Sequence, residues 1–179
     1  MSESSSPTLL PGRTYLSVVA PVPSELCQLI NIWNARYGQE PATIGNHITV
    51  LISEVRDDFT AARALGAESL GLQPMEVELG PPQTFLPTTP VTYLPLIRGG
   101  EGLLEAHEVL QKIVGESASP FVYVPHLTLS HRFEESQLVE AREFYESIPQ
   151  VLRRFRVEEF RVYSNIGGSW ELITAIGLG

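Results

Sequence analysis

Two short stretches of this sequence carry residue types suited to moving protons beside an anion. His47-Ile48-Thr49-Val50 and His126-Leu127-Thr128-Leu129 share the pattern His-apolar-Thr-apolar. Side chains alternate along a strand, so His47 and Thr49 share one face while Ile48 and Val50 take the other, and His126 and Thr128 divide from Leu127 and Leu129 in the same way. The apolar residues suit packing on helices, which leaves each His-Thr pair on the opposite face of its sheet. An unperturbed imidazole titrates near pH ~6.5, so both protonation states are available close to neutrality. If the two pairs approach a common point from opposite sides, they suit an in-line displacement at phosphorus. One imidazole takes a proton from the attacking oxygen, the other gives one to the leaving oxygen, and the hydroxyls of Thr49 and Thr128 hold the non-bridging oxygens. A lone His-x-Thr is most often an ordinary polar strand face. Its recurrence gives the pattern weight.

The elements that must position these residues are legible from periodicity and punctuation. Residues 1–13, with Ser4-Ser5-Ser6-Pro7 and Pro11-Gly12, read as a flexible leader, and residues 14–179 as a single domain. A strand over Thr14–Ala20 ends at Pro21 and Pro23, and a helix follows over Ser24–Tyr37 with Leu26, Leu29, Ile30 and Trp33 at helical spacing. Strands are expected at His47–Val55, Met75–Leu79, Val91–Arg98, Val124–Arg132, Arg153–Ser164 and Trp170–Ile176, with a short extended piece near Phe85. Further helices are expected from Asp57 or Asp58 to Leu70, over Leu103–Val114 and over Glu134–Ile148. The mixture of alternating elements and hairpin-like pairs indicates α+β with antiparallel sheets. A repeat runs beneath this order. Thr14-Tyr15-Leu16 recurs as Thr92-Tyr93-Leu94, Tyr15 to His47 spans 32 positions, and Tyr93 to His126 spans 33. His47 to Val77 and His126 to Val157 span 30 and 31. These landmarks divide the domain into pseudo-repeats of about 14–90 and 91–179.

Composition bounds the partners. Twelve Lys and Arg face 21 Asp and Glu, for a net charge of −9. A protein that holds long nucleic acid needs a basic stripe to displace counterions, so long DNA or RNA is disfavoured and a small nucleotide or an RNA end fits better. The start of the chain has neither a basic nor an apolar run, and no stretch approaches the ~20 apolar residues of a membrane helix. A cytoplasmic monomer without membrane contact is the expectation. The single Cys27 excludes an intramolecular disulfide and any cysteine-based zinc cluster, and its apolar helical neighbours mark it as a packed residue rather than a nucleophile.

The two His-x-Thr motifs, with Pro125 before the second, resemble the signatures of the two-histidine (2H) phosphoesterases, and the bacterial 2′-5′ RNA ligase and cyclic phosphodiesterase branch is the nearest in pattern. The resemblance spans about residues 13–176. It implies a duplicated, bilobal fold with two antiparallel β-sheets flanked by helices around a central V-shaped cleft. It also implies hydrolysis of 2′,3′-cyclic phosphates or related cyclic phosphodiesters with no cofactor and no metal, with His47, Thr49, His126 and Thr128 as the functional residues. The residues alone do not decide which histidine is base and which is acid. Relatives often carry His-x-Thr-x-Ala-Arg, whereas this chain reads Ser130-His131-Arg132. By strand parity Arg132 shares the face of His126 and is a candidate for the phosphate, while His131 points away unless the strand bends.

Tyr15 and Tyr93, at matching repeat positions, are candidates for stacking on a base, although core tyrosine is the plainer reading. His107 reads as a surface or boundary residue. Gly167-Gly168 is no phosphate cradle, since a strand rather than a helix follows it. Two other functions compete with the enzyme: a nucleotide- or RNA-end-binding module without turnover, and a metal-dependent hydrolase. The first has no need of paired proton carriers. The second is poorly served by two histidines lacking a supporting carboxylate or cysteine motif.

Overall fold

A computed structural model describes residues 9–67, 70–131, 134, 137–166 and 168–179. Among the described residues, nine strands and five helices run in the order β1 (Thr14–Pro21), α1 (Ser24–Ala35), β2 (His47–Val55), α2 (Asp58–Ala67), β3 (Met75–Leu79), β4 (Gln83–Thr84), β5 (Thr92–Arg98), α3 (Gly100–Val114), β6 (His126–Ser130), α4 (Leu138–Ser147), α5 (Gln150–Arg153), β7 (Arg154–Val157), β8 (Glu159–Ile166) and β9 (Ser169–Gly177). The strand pairs among the described residues are antiparallel, and the order across the sheet is β7-β3-β5-β6-β2-β1-β8-β9, with β4 also on β5. Together they make a curled antiparallel arrangement whose eight-strand path divides into two four-stranded halves, with β4 added to one of them. A single residue pair, Ile48 with Leu127, joins them.

The order reads symmetrically about that junction. β5 and β1 lie next to the central strands, β3 and β8 come next, and β7 and β9 form the edges. The halves also exchange strands: β3 lies between β5 and β7, and β8 lies beside β1. Two of the sequence landmarks therefore fail as structural equivalents. Pro21 pairs with His47 and Pro95 with His126, so Tyr93 corresponds to Val19 rather than Tyr15. Val157 lies in β7, whereas the strand equivalent to β3 is β8. The expected strand over Arg153–Ser164 is also two strands. It breaks at Glu158, where the chain passes from the edge of one half to the inner part of the other. Nothing at Glu158 is a turn signal, because the strand stays extended and merely switches partners, as strands do at the corners of packed sheets.

Helices cover the face that carries the apolar motif residues. Ile48, Val50, Leu127 and Leu129 are buried in one core with Leu26, Ile30 and Trp33 of α1 and Leu103, Ala106 and Leu110 of α3. Each fully buried leucine or isoleucine contributes roughly 1.5–3 kcal/mol. The alternation thus turns His47, Thr49, His126 and Thr128 to the helix-free face, where all four are half-buried. At α2, Asp57 supplies the cap, its carboxylate accepting the N–H groups of Phe59 and Thr60. No helix among the described residues is long and apolar enough to cross a membrane.

Candidate active site

The site is built around the junction of β2 and β6. Continuing the antiparallel register one step either way from Ile48–Leu127 sets His47 beside Thr128 and Thr49 beside His126. The four residues therefore occupy the corners of a rectangle, with the histidines diagonal to one another. Ordinary strand spacings put those two Cα atoms about 8 Å apart.

Each imidazole is held in the same way. Nδ1 of His47 lies 2.8 Å from the carbonyl oxygen of Gly45, and Nδ1 of His126 lies 2.6 Å from that of Val124. A carbonyl only accepts, so Nδ1 is the nitrogen that carries the proton in both rings. Nε2 is then left to exchange protons: it has a free lone pair when the ring is neutral and donates when the ring is charged. The fixing carbonyl lies two residues upstream in both motifs, so the symmetry extends to the tautomer.

Burial is the main cause holding both imidazoles below the ordinary histidine range, against the opposing effect of each carbonyl bond. A positive charge on His131 lowers both further, and one on His126 lowers His47. His131 is a residue that strand parity turned away. In the structure β6 stops at Ser130 and the chain bends at His131, which brings its charge within reach of both motif imidazoles. His131 is itself lowered by burial.

These shifts set a pH dependence of stability. An imidazole whose pKa falls on folding binds fewer protons in the native chain than in the unfolded one below pH ~6.5. The stability present above that value is therefore lost as pH falls through it, and the loss levels off below the lowered native values. Thermal unfolding is expected to show a lower Tm at pH 5 than at pH 7.5. His47→Gln is expected to shrink that difference, and an undiminished difference in the variant would contradict the burial effect.

Of the other residues singled out from sequence, Tyr93 lies at the site and Tyr15 does not. Tyr93 pairs with Thr128, stacks on Phe85 at 4.0 Å between ring centroids, and meets the ring of His126 edge-on at 5.1 Å. Its hydroxyl donates to Oε1 of Gln83 at 3.1 Å. Tyr15 pairs with Glu54, seven residues along β2 from His47 or about 23 Å of strand, and its oxygen accepts the N–H of Leu10. It is 3% exposed at the far end of the strand, so the expectation of a base-stacking role is not met. Arg132 lies outside the described residues, as do residues 1–8 of the expected leader. Cys27 is half-buried, its thiol donating to the Asn46 carbonyl, and burial pushes its pKa up, away from thiolate chemistry. Among the described residues no group of three or more His, Cys, Asp or Glu side chains is arranged to hold a metal ion.

Sequence reading missed several participants. Phe85, half-buried, also meets His126 edge-on at 5.1 Å. Nδ1 of His107, on α3, donates to the carbonyl oxygen of Val50 at 2.6 Å, and Asn34, on α1, donates to that of Leu129 at 2.8 Å. Both acceptors lie three residues past their motif histidine, so each helix pins the motif strand of the opposite half. A polar residue on the inner side of an otherwise apolar helix face was the available signal for His107 and Asn34.

The curled antiparallel sheet with flanking helices is shared with solved structures. The crystal structure of E. coli LigT in apo form is similar with a TM-score of 0.67 at 19% identity, over 93% of this chain and 98% of that one. LigT complexed with 3′-AMP is similar with a TM-score of 0.67 at 18% identity over the same shares. TT0787 of Thermus thermophilus follows with a TM-score of 0.63 at 20% identity, over 92% of this chain and 97% of that one. At these identities the likeness is one of fold. No curated protein matches by sequence. The model of the 2′-5′ RNA ligase superfamily matches residues 22–168, more than half of the chain. The chain belongs to that superfamily, and with it to the phosphoesterase-type enzymes of the 2H class.

Proposed function

We propose that this protein hydrolyses cyclic phosphodiesters, specifically the 2′,3′-cyclic phosphate of nucleotides or RNA ends, by metal-independent acid–base catalysis at His47 and His126. The observation that carries this reading is the matched Nδ1–carbonyl bond of the two rings, which dedicates both Nε2 atoms to proton exchange at one place. Nε2 of the neutral ring takes a proton from water as its oxygen attacks phosphorus. Nε2–H of the charged ring protonates the ribose oxygen as its bond to phosphorus breaks. The hydroxyls of Thr49 and Thr128 donate to the non-bridging oxygens, where charge builds in the transition state. Phe85, backed by Tyr93, offers an aromatic surface for a base beside His126, and Arg132 is kept as a candidate phosphate ligand. That LigT has been crystallised with 3′-AMP supports a nucleotide-sized substrate.

The test is turnover of a panel of 2′,3′-cyclic nucleotides by the wild-type protein in excess chelator. Ring opening to a nucleoside monophosphate at an undiminished rate is the expected result. Turnover lost on chelation and restored by a divalent ion would replace this mechanism with a metal-dependent one. Tight binding of the nucleotides without turnover would favour a binding module.

A further inference from the structure

The two motif strands share only one backbone pair, yet acid and base must stand at a fixed separation. A second connection between them runs through the loop that leads into β6. The hydroxyl of Tyr123 donates to the carbonyl oxygen of Thr49 at 2.9 Å. Its ring stacks on His107 at 4.1 Å with the planes 12° apart, and His107 bonds the next carbonyl, that of Val50. β2 carries an extra residue here: Val18 and Val19 are consecutive in β1 but pair with Leu51 and Thr49. Such a bulge breaks the alternation that sends successive carbonyls to opposite strand edges. The carbonyls of Thr49 and Val50 thus both take donors from one stacked pair of rings.

The next residue after Tyr123 completes the path, since the carbonyl of Val124 holds Nδ1 of His126. Two adjacent loop residues, Tyr123 and Val124, therefore connect the backbone of the first motif threonine to the tautomer-fixing bond of the second motif histidine. The position three residues before His47 is Ile44, which has no phenol to do the same in the other half.

We infer that Tyr123, braced by His107, is a positioning residue that sets the separation of the two half-sites. Resting on the proposed reaction, this goes beyond it in giving one side chain, bonded to the backbone of a motif strand, control of the acid–base geometry. A misplacement of reacting groups on the scale of 1 Å can cost up to about 100-fold in rate, and loss of one strut falls short of that.

The experiment compares Tyr123→Phe, which keeps the stacked ring and removes the hydroxyl, with Tyr145→Phe. Tyr145 makes the same kind of bond, from its phenol to the carbonyl of Leu79 at 3.0 Å, away from the motif strands. Tyr123→Phe is expected to lower kcat on a 2′,3′-cyclic nucleotide about tenfold with KM changed less than twofold. Tyr145→Phe is expected to keep kcat within about twofold, at a comparable change in Tm. Equal losses of kcat in the two variants, or none in Tyr123→Phe, would overturn the inference while leaving paired-histidine catalysis standing. Absence of turnover in the wild type would overturn both.

Discussion

On the proposed mechanism, His47→Ala and His126→Ala are each expected to lower kcat on 2′,3′-cyclic nucleotides by about 10²- to 10⁴-fold, the usual worth of one positioned proton transfer. KM is expected to change little, because the proposed ground-state contacts, the threonine hydroxyls and the aromatic surface, are retained. The double variant loses scarcely more than either single one, since an acid without its base no longer serves the same transition state. Each ring's Nδ1 bond goes to its own chain two residues away. His126→Ala also removes the edge-on contacts with Phe85 and Tyr93, but the apolar core on the other face of the strands is untouched in both variants, and Tm is expected to stay within a few degrees. A substrate with a strongly acidic leaving group separates the roles: the variant lacking the acid regains most of its rate, and the one lacking the base does not. Steady-state kinetics on the two substrate types check the whole set. Loss in only one single variant would contradict a shared reaction, and strictly multiplicative losses would contradict action as a unit.

The second large effect is on stability, and it separates two adjacent glycines. Gly99 has φ of +81°, and a Cβ there would come within 2.3 Å of the carbonyl oxygen of Glu76 and 2.9 Å of a Val77 methyl. Gly100 opens α3, has no positive φ, and its nearest neighbour would be Cβ of Leu96 at 3.9 Å. Gly99→Ala combines left-handed strain of about 1–2 kcal/mol with a backbone collision that only a shift of β3 relieves. A total of about 3 kcal/mol, or a Tm lower by about 6–12 °C, is expected. Gly100→Ala is neutral or stabilises by up to about 1 kcal/mol, as for glycine replaced in a helix. Urea titration of both variants checks the contrast, and equal effects would contradict the close approach of β3 to the start of α3.

The motif residues and most elements were legible in the sequence because each rests on a local rule. Alternation in His47–Val50 and His126–Leu129 fixes which side chains share a face, and helical spacing of Leu26, Leu29, Ile30 and Trp33 gives α1. What failed was equivalence between distant segments. The recurrence of Thr-Tyr-Leu aligned Tyr15 with Tyr93, whereas pairing aligns Pro21 with Pro95, each opposite a motif histidine. A three-residue match carries no information about register, which hydrogen bonding to a neighbouring strand decides. The division of β7 from β8 was hidden because Glu158 stays extended while its strand changes partners. Parity turned His131 away only on the condition that the strand continued, and β6 ends one residue earlier, where the chain bends. Phe85 and Tyr123 went unassigned as site residues because their roles depend on contacts across 8 to 74 positions of chain, which no local pattern encodes; His107, read as a surface or boundary residue, had only the signal of a polar side chain on an apolar helix face.

The exchange of β3 and β8 between the halves bears on how this chain can be divided. A cut before β5 would leave the N-terminal piece with β3 deprived of both its neighbours and β1 with one edge bare. The C-terminal piece would hold β5 and β7 without the strand that joins them. Each piece would display unpaired edges of the kind that recruit other chains. Neither piece is a miniature of the whole. Split in that linker, the protein would recover its two-histidine site only by reassembly, which makes the linker a place to tie the return of chemistry to the meeting of two fused partners.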